Sequence, residues 1–158
     1  MKFLNITLFN SLMIFLLTVS LFALSAPSFT QDYKVKKVGK AFSHPWGISV
    51  FDNDEVLITE RGGDLFKVNI ENGSTIKISN LPEVFNVRQG GLLDILVDKE
   101  SVSERNVYIC YSSKVAEGSS TTLMAGALKE DKLTSKTILF KSNNVSDSGV
   151  HFGCRLAI

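Results

Sequence analysis

Residues 48–69 have the sequence ISVFDNDEVLITERGGDLFKVN, and this stretch decides the fold. It opens a set of four short runs rich in β-branched and aromatic residues: Ile48–Phe51, Glu55–Thr59, Asp64–Asn69 and Ser74–Ser79. Such runs favour β-strands. The gaps between them hold turn formers, namely Asp52-Asn53-Asp54, Arg61-Gly62-Gly63 and Glu71-Asn72-Gly73. The connections are short enough for hairpins, so the stretch predicts a four-stranded antiparallel meander.

The strand pattern then repeats along the chain. A second set of runs is Leu92–Val97, Asn106–Ser112, Thr121–Leu128 and Ser135–Phe140, and a third begins with Gly153–Ile158. Strand-opening glycines recur at Gly47, Gly91 and Gly153, and their spacings of roughly 40 to 60 residues are typical of four-stranded propeller blades.

An all-β propeller is therefore the predicted fold, present in part over residues 41–158. Blade one is expected at about 41–80, blade two at about 89–141 and the start of blade three at 151–158. A β-sandwich also has short, regularly spaced strands, but the recurring glycines and the final run without partners favour the propeller. We expect this chain to be the N-terminal fragment of a longer product.

The first 26 residues predict a signal peptide. No charged side chain occurs between Ile6 and Ala26, Lys2 precedes the apolar run, and small residues follow it. Cleavage is expected near residues 25–28, which makes the protein periplasmic or secreted. The alternative is an uncleaved anchor, and only then would the chain contact a membrane. Residues 27–40 are expected to form a linker or a first edge strand.

Charge and cysteine content narrow the possible partners. The chain has 17 basic and 16 acidic residues, which gives no electrostatic case for binding nucleic acid. Cys110 and Cys154 lie in an exported chain, where a disulfide is chemically permitted. Each lies in a strand-like apolar run, and this context favours two buried thiols over a bridge. No cysteine or histidine spacing predicts a metal site in this chain.

Two residues stand out as candidates for chemistry. Gln89 stands two residues before Gly91, the opening glycine of blade two, and His151 stands two residues before Gly153, the opening glycine of blade three. If the blades repeat, both side chains point to one channel mouth, where propellers bind ligands. A histidine there can take a proton from a hydroxyl. The alternatives are a turn-capping glutamine and a structural histidine. His44 and Trp46 are expected to serve packing and turns.

Five segments together resemble the glucose/sorbosone dehydrogenase family, which comprises soluble aldose sugar dehydrogenases that use pyrroloquinoline quinone (PQQ). In order and approximate spacing they are His44–Gly47, Thr59–Gly63, Gln89–Ile95, Asn106–Ile109 and His151–Leu156. The resemblance implies a six-bladed propeller that holds the quinone at the top of its channel, with calcium supporting the cofactor. It further implies that His151 is the catalytic base and that Gln89 contacts substrate or cofactor.

The implied reaction is oxidation of the anomeric hydroxyl of an aldose sugar to a lactone, with hydride transfer to PQQ and then electron transfer to an external acceptor. Most residues that bind the quinone and calcium are expected beyond residue 158, so this fragment alone is expected to be inactive. Val150 stands where relatives commonly have glycine, and Cys154 where serine is usual. The alternative function is a non-catalytic, exported propeller that serves as a binding module.

Overall fold

The computed structural model describes residues 32–100 and 105–158, and every regular element in these ranges is a β-strand. The eight strands are β1 (Pro45–Asp52), β2 (Glu55–Glu60), β3 (Asp64–Asn69), β4 (Thr75–Lys77), β5 (Leu92–Val97), β6 (Arg105–Val115), β7 (Gly118–Lys129) and β8 (Lys132–Lys141). They form two four-stranded sheets, in the orders β1-β2-β3-β4 and β5-β6-β7-β8, with antiparallel pairing throughout. Both predicted meanders, and the all-β class, are confirmed.

The predicted signal peptide lies outside the described residues. Residues 32–44, which include most of the predicted linker or edge strand, contain no strand. Within the two described ranges, no helix is long and apolar enough to cross a membrane.

An apolar core lies between the two sheets. The first sheet contributes Leu57 and Leu65, both fully buried, with Ile78 beside them. The second sheet contributes alternate residues of β6, among them Val107 and Ile109, which are also fully buried. Side chains alternate between the two faces of a strand, so one face of β6 packs against the first sheet and the opposite face carries Cys110.

A buried hydroxyl joins the first two strands of each sheet. Thr59 Oγ1 on β2 accepts a hydrogen bond from the Gly47 amide at 2.8 Å and donates to the Leu93 carbonyl of the second sheet at 2.6 Å. Ser112 Oγ on β6 accepts from the Gly91 amide at 2.6 Å and donates to the Phe85 carbonyl at 2.8 Å. The same device thus occurs in both sheets, which supports the prediction that they are repeats.

The glycines at the start of the first two repeats allow close backbone contact. A Cβ on Gly47 would lie 3.0 Å from the Leu93 carbonyl oxygen of the second sheet. A Cβ on Gly91 would lie 1.9 Å from the Arg61 carbonyl oxygen, and Gly91 has a φ of +142°. Only glycine fits such an approach and such a φ. These two positions bring the innermost strands of the two sheets together.

Residues 151–158 form no strand, so the predicted strand over Gly153–Ile158 is wrong. A strand needs main-chain partners, and within the described residues the Leu156 amide instead donates to a side chain, Asp94 Oδ2, at 2.7 Å. The assignment of this segment to a third blade stays a prediction.

Among the described residues, the strands β1 and β8 each expose an apolar surface. Trp46, Ile48 and Val50 lie on one face of β1, and each is about half exposed. The outer strand β8 likewise exposes three consecutive residues, Ile138–Phe140. An apolar sheet face is normally covered by another layer, so both surfaces suit further protein packing.

Candidate functional site

Gln89 and His151 lie side by side at the start of the second sheet. The loop before β5 pairs with residues just before His151, because the Gln89 amide donates to the Gly149 carbonyl at 3.1 Å. The His151 amide then donates to Gln89 Oε1 at 3.0 Å. Both residues are exposed. The structure therefore brings the two sequence-predicted site residues together on one rim.

The segment that follows His151 is held on the second sheet by hydrogen bonds from two different strands. The Thr121 hydroxyl on β7 donates to the Phe152 carbonyl at 2.9 Å, and the Phe152 ring is buried. Asp94 on β5 accepts from the Leu156 amide and lies 3.3 Å from the Arg155 guanidinium. Asp94 is only 2% exposed, and a buried carboxylate requires such partners. His151 is thus attached to a well-anchored segment.

Cys110 and Cys154 form a disulfide that ties the same segment to β6, with their Cα atoms 6.0 Å apart. The prediction of two buried thiols is therefore wrong. It assumed that Cys154 lies in a strand of its own, whereas residues 151–158 form no strand and are held against the second sheet by side-chain contacts. Cys154 thereby reaches the face of β6 that carries Cys110, at a separation that a disulfide accommodates.

The backbone around His151 has an unusual conformation. His151, Gly153 and Cys154 have φ values of 66°, 67° and 79°. The left-handed region is unfavourable for residues other than glycine, although histidine enters it more often than most. Such a conformation persists only where surrounding contacts enforce it, and the hydrogen bonds and the disulfide provide these contacts.

An open cavity of about 520 Å³ adjoins His151. This volume falls in the range of roughly 300–1,000 Å³ that is usual for small-molecule sites. Its ionisable lining residues are Asp147 and His151, and most of the others carry hydroxyl or amide groups: Ser119, Thr121, Ser142, Asn144, Ser146 and Ser148. Several of these hydroxyls are already engaged, since Ser119 Oγ donates to the Ser146 carbonyl at 3.1 Å. Asp147 and His151 are therefore the lining residues that can take up a proton.

The described residues fit a quinone and calcium to different degrees. No group of three or more histidine, cysteine or acidic side chains in the described ranges could hold a metal ion, so these residues do not fit a calcium site. Arg61 lies directly behind Gly91, and its Nε is buried without a hydrogen-bond partner in the described part of the chain. A cation with an unused donor suits an anionic carboxylate. Because this Nε is buried, it does not reach a bound ligand within the described part of the chain, and the exposed Gln89 amide and His151 imidazole are the groups that can contact a polar quinone.

Asp94 and Thr121, which anchor the His151 segment, were not predicted from the sequence. A signal existed for Asp94, because it is the one charged residue in the otherwise apolar run Leu92–Val97. A buried charge in a strand indicates a specific partner. Thr121 carries no such signal, since a threonine is ordinary in a strand.

The chain is similar to known sugar dehydrogenases. The family model described as Glucose / Sorbosone dehydrogenase matches residues 42–158. The aldose sugar dehydrogenase YliI of Escherichia coli is 33% identical over 117 residues, which cover 72% of this chain and 32% of that protein. The chain thus spans about a third of the length of the curated relatives that it matches.

Solved structures show the same likeness. The soluble aldose sugar dehydrogenase from Escherichia coli, in its apo form, matches with a TM-score of 0.67 and 32% identity over 73% of this chain and 35% of that one. The PQQ-bound aldose sugar dehydrogenase from Streptomyces coelicolor matches in fold, with a TM-score of 0.57 and 20% identity over 68% of this chain and 33% of that one. These matches confirm the prediction of a propeller-type fold, of which the two four-stranded sheets are two blades. The chain belongs to the glucose/sorbosone dehydrogenase family.

Proposed function

We propose that the complete protein is an exported, PQQ-dependent dehydrogenase that oxidises the anomeric hydroxyl of an aldose sugar to a lactone. Membership of the family supports an oxidoreductase that acts on sugars. A similar protein is named an aldose sugar dehydrogenase, and a structure with the same fold is described as PQQ-bound. Because this chain spans only about a third of its relatives, the activity is proposed for the complete protein.

The observation that carries the proposal is the hydrogen bond between the His151 amide and Gln89 Oε1. It fixes the main chain of an exposed histidine beside an open cavity, so the imidazole can reach a bound sugar. His151 takes the proton of the anomeric hydroxyl as general base. The bound quinone supplies a two-electron acceptor for the hydride of the same carbon.

Gln89 has two roles in this proposal. Its carbonyl oxygen is committed to the His151 amide, so it positions the base. A glutamine amide also has two N–H donors, and those of Gln89 have no hydrogen-bond partner within the described residues. They are available to a sugar hydroxyl or a quinone oxygen, both of which accept hydrogen bonds.

We propose that other parts of the protein supply the remaining residues of the cofactor site. The residues that hold most of the quinone carboxylates, and those that bind calcium, are proposed to lie beyond residue 158. An external acceptor then takes the electrons. Residues 1–26 are proposed to direct export to the periplasm or the medium, because their apolar run has the layout of a signal peptide.

The test uses the complete protein reconstituted with PQQ and Ca²⁺, with dye reduction measured for glucose and other aldoses. His151→Asn is the informative variant, because asparagine tolerates a positive φ but cannot act as a base. We expect kcat to fall by about 10²- to 10⁴-fold, the usual contribution of general acid–base catalysis.

His44→Asn is the matched control. His44 is also exposed and also has a positive φ, of 53°, but it lies in the first blade and has no proposed role in catalysis. We expect this variant to retain the parent's kcat. Equal activity of the His151→Asn variant and the parent would disprove the role of the base. A parent protein that binds aldoses in calorimetry but reduces no dye would favour the non-catalytic binding module instead.

A further inference from the structure

We propose that the Cys110–Cys154 disulfide is a positioning device for His151, so that turnover depends on the oxidised state of this bond. The inference rests on the proposed function of His151 as the base. Cys110 and Cys154 are then positioning residues, which act on the reaction only through the conformation of the segment between His151 and Leu156.

The segment between His151 and Leu156 is attached at several separate points. It has no strand partner among the described residues, and its contacts are with separate elements of the second sheet. Gln89, Thr121 and Asp94 hold it by hydrogen bonds to the His151 amide, the Phe152 carbonyl and the Leu156 amide. The disulfide to β6 is the covalent attachment among them. It lies between the Phe152 and Leu156 contacts, in the middle of the anchored segment.

The backbone of this segment has an unfavourable conformation. His151, Gly153 and Cys154 all have φ values in the left-handed region. This region is unfavourable for His151 and Cys154, which are not glycines. A released segment would therefore relax to ordinary φ values. Relaxation would turn the His151 amide away from Gln89 Oε1, and the imidazole would leave the cavity with it. The disulfide opposes this change because it fixes Cys154 against a central strand.

The two cysteines differ in how accessible they are to a reductant. Cys110 is 4% exposed, whereas Cys154 is partly exposed. A thiolate must approach a disulfide sulfur to reduce it, and the Cys154 side provides that approach. Oxidising compartments outside the cytosol maintain such a bond, so a protein exported as proposed would have its base in place, and one held in a reducing compartment would not.

The test compares the complete protein before and after dithiothreitol, and in the Cys110→Ser/Cys154→Ser variant. Dithiothreitol is oxidised to its cyclic disulfide, and the two protein sulfurs take up two electrons and two protons to become thiols. Backbone amide hydrogen exchange of residues 150–156, followed by mass spectrometry, reports the anchoring directly. We expect exchange there to accelerate at least about 10-fold, because these amides lose their fixed partners.

Kinetics supply the second readout. We expect kcat for dye reduction to fall about 10-fold on reduction, while KM changes less than about 2-fold, because the base is displaced and the rest of the sugar site is not. Dithiothreitol should have no further effect on the double-serine variant, which excludes reduction elsewhere in the protein.

Leu133→Ala is the control for general destabilisation. Leu133 is fully buried on β8 in the core between the sheets and makes no hydrogen bond to the His151 segment. This variant should have a lower melting temperature but an unchanged kcat per folded molecule and unchanged exchange over residues 150–156. All measurements are made well below the lowest melting temperature of the set.

Unchanged exchange after complete reduction would overturn the proposal whatever the activity. Accelerated exchange with an unchanged kcat would also overturn it, because His151 would then act without this anchor. A parent that oxidises no aldose would instead overturn the proposed function and, with it, the catalytic consequence, while the exchange measurement would still decide whether the disulfide anchors the segment.

Discussion

Gly91→Ala should destabilise the protein more strongly than either Gly62→Ala or Gly153→Ala. An alanine Cβ at position 91 would lie 1.9 Å from the Arg61 carbonyl oxygen and 2.7 Å from Arg61 Cγ. Ordinary contacts of this kind begin near 3.4 Å, so the start of β5 would have to move by more than about 1 Å, a shift that close-packed interiors resist.

The expected magnitude follows from the bonds that such a movement breaks. The Leu92 amide donates to the Arg61 carbonyl at 3.0 Å, the Ser112 amide to the Gly91 carbonyl at 2.9 Å, and the Gly91 amide to Ser112 Oγ at 2.6 Å. Each contributes about 1 kcal/mol net. The φ of +142° adds about 1–3 kcal/mol of strain for an alanine. The free energy of unfolding should therefore fall by about 4–6 kcal/mol.

Urea denaturation of the complete protein measures this change, provided that the slope m stays constant. Two controls separate the causes. Gly62→Ala meets nothing closer than Asn86 Nδ2 at 4.0 Å and should change the free energy by less than about 1 kcal/mol. Gly153→Ala meets nothing within 4 Å but has a φ of +67°, so strain alone should cost about 1–2 kcal/mol. If Gly91→Ala were as stable as Gly62→Ala, the close approach of the two blades would be refuted.

Three further predictions concern stability. Reducing the Cys110–Cys154 bond opens a loop whose ends are 44 residues apart, so the chain-entropy model predicts that the free energy of unfolding falls by about 4 kcal/mol. An unchanged melting temperature under dithiothreitol would contradict this prediction. Asp94→Ala leaves the Leu156 amide without its acceptor and should lower the free energy of unfolding, measured by urea denaturation, by about 1–3 kcal/mol. Asp94→Asn keeps an acceptor oxygen and should lower it less. Equal losses in the two variants would disprove the role of Asp94 as an acceptor for Leu156. Burial raises the pKa of Tyr111 above its ordinary 10.0, so the unfolded chain ionises first and stability should fall as pH rises above about 10; Tyr111→Phe should reduce this fall, and an identical pH dependence in both proteins would refute it.

Most of the fold was accessible from the sequence because its signals are local. Turn formers such as Asp52-Asn53-Asp54 and alternating apolar residues define hairpins without reference to the rest of the chain. The full length of β6 and β7 was not predicted. The polar residues Ser113 and Ser120 resemble loop residues, yet they lie in a ladder that continues to the pair Val115 and Gly118, because cross-strand hydrogen bonding extends a hairpin beyond its apolar part.

The candidate site was accessible only in part. The proximity of Gln89 and His151 could be predicted from the strand repeat, because equivalent positions in successive blades face the same rim. The path of the chain after His151 depends on contacts between residues far apart in sequence, such as the disulfide and the Asp94–Leu156 bond. Local patterns carry no information on such contacts, and for this reason both the strand and the free thiols were predicted wrongly.

The paired hydroxyls of Thr59 and Ser112 have a practical consequence for protein engineering. Each receives the amide of its blade's opening glycine, although 12 residues separate the pair in the first blade and 21 in the second. β5 ends at Val97 and β6 begins at Arg105, so part of this difference lies in the connection between these two strands, at the opposite end of β5 from Gln89. A change in the length of the β5–β6 connection should therefore not alter the surroundings of Gln89. An epitope tag or a reporter domain inserted between Asp98 and Arg105 should leave the geometry around Gln89 intact.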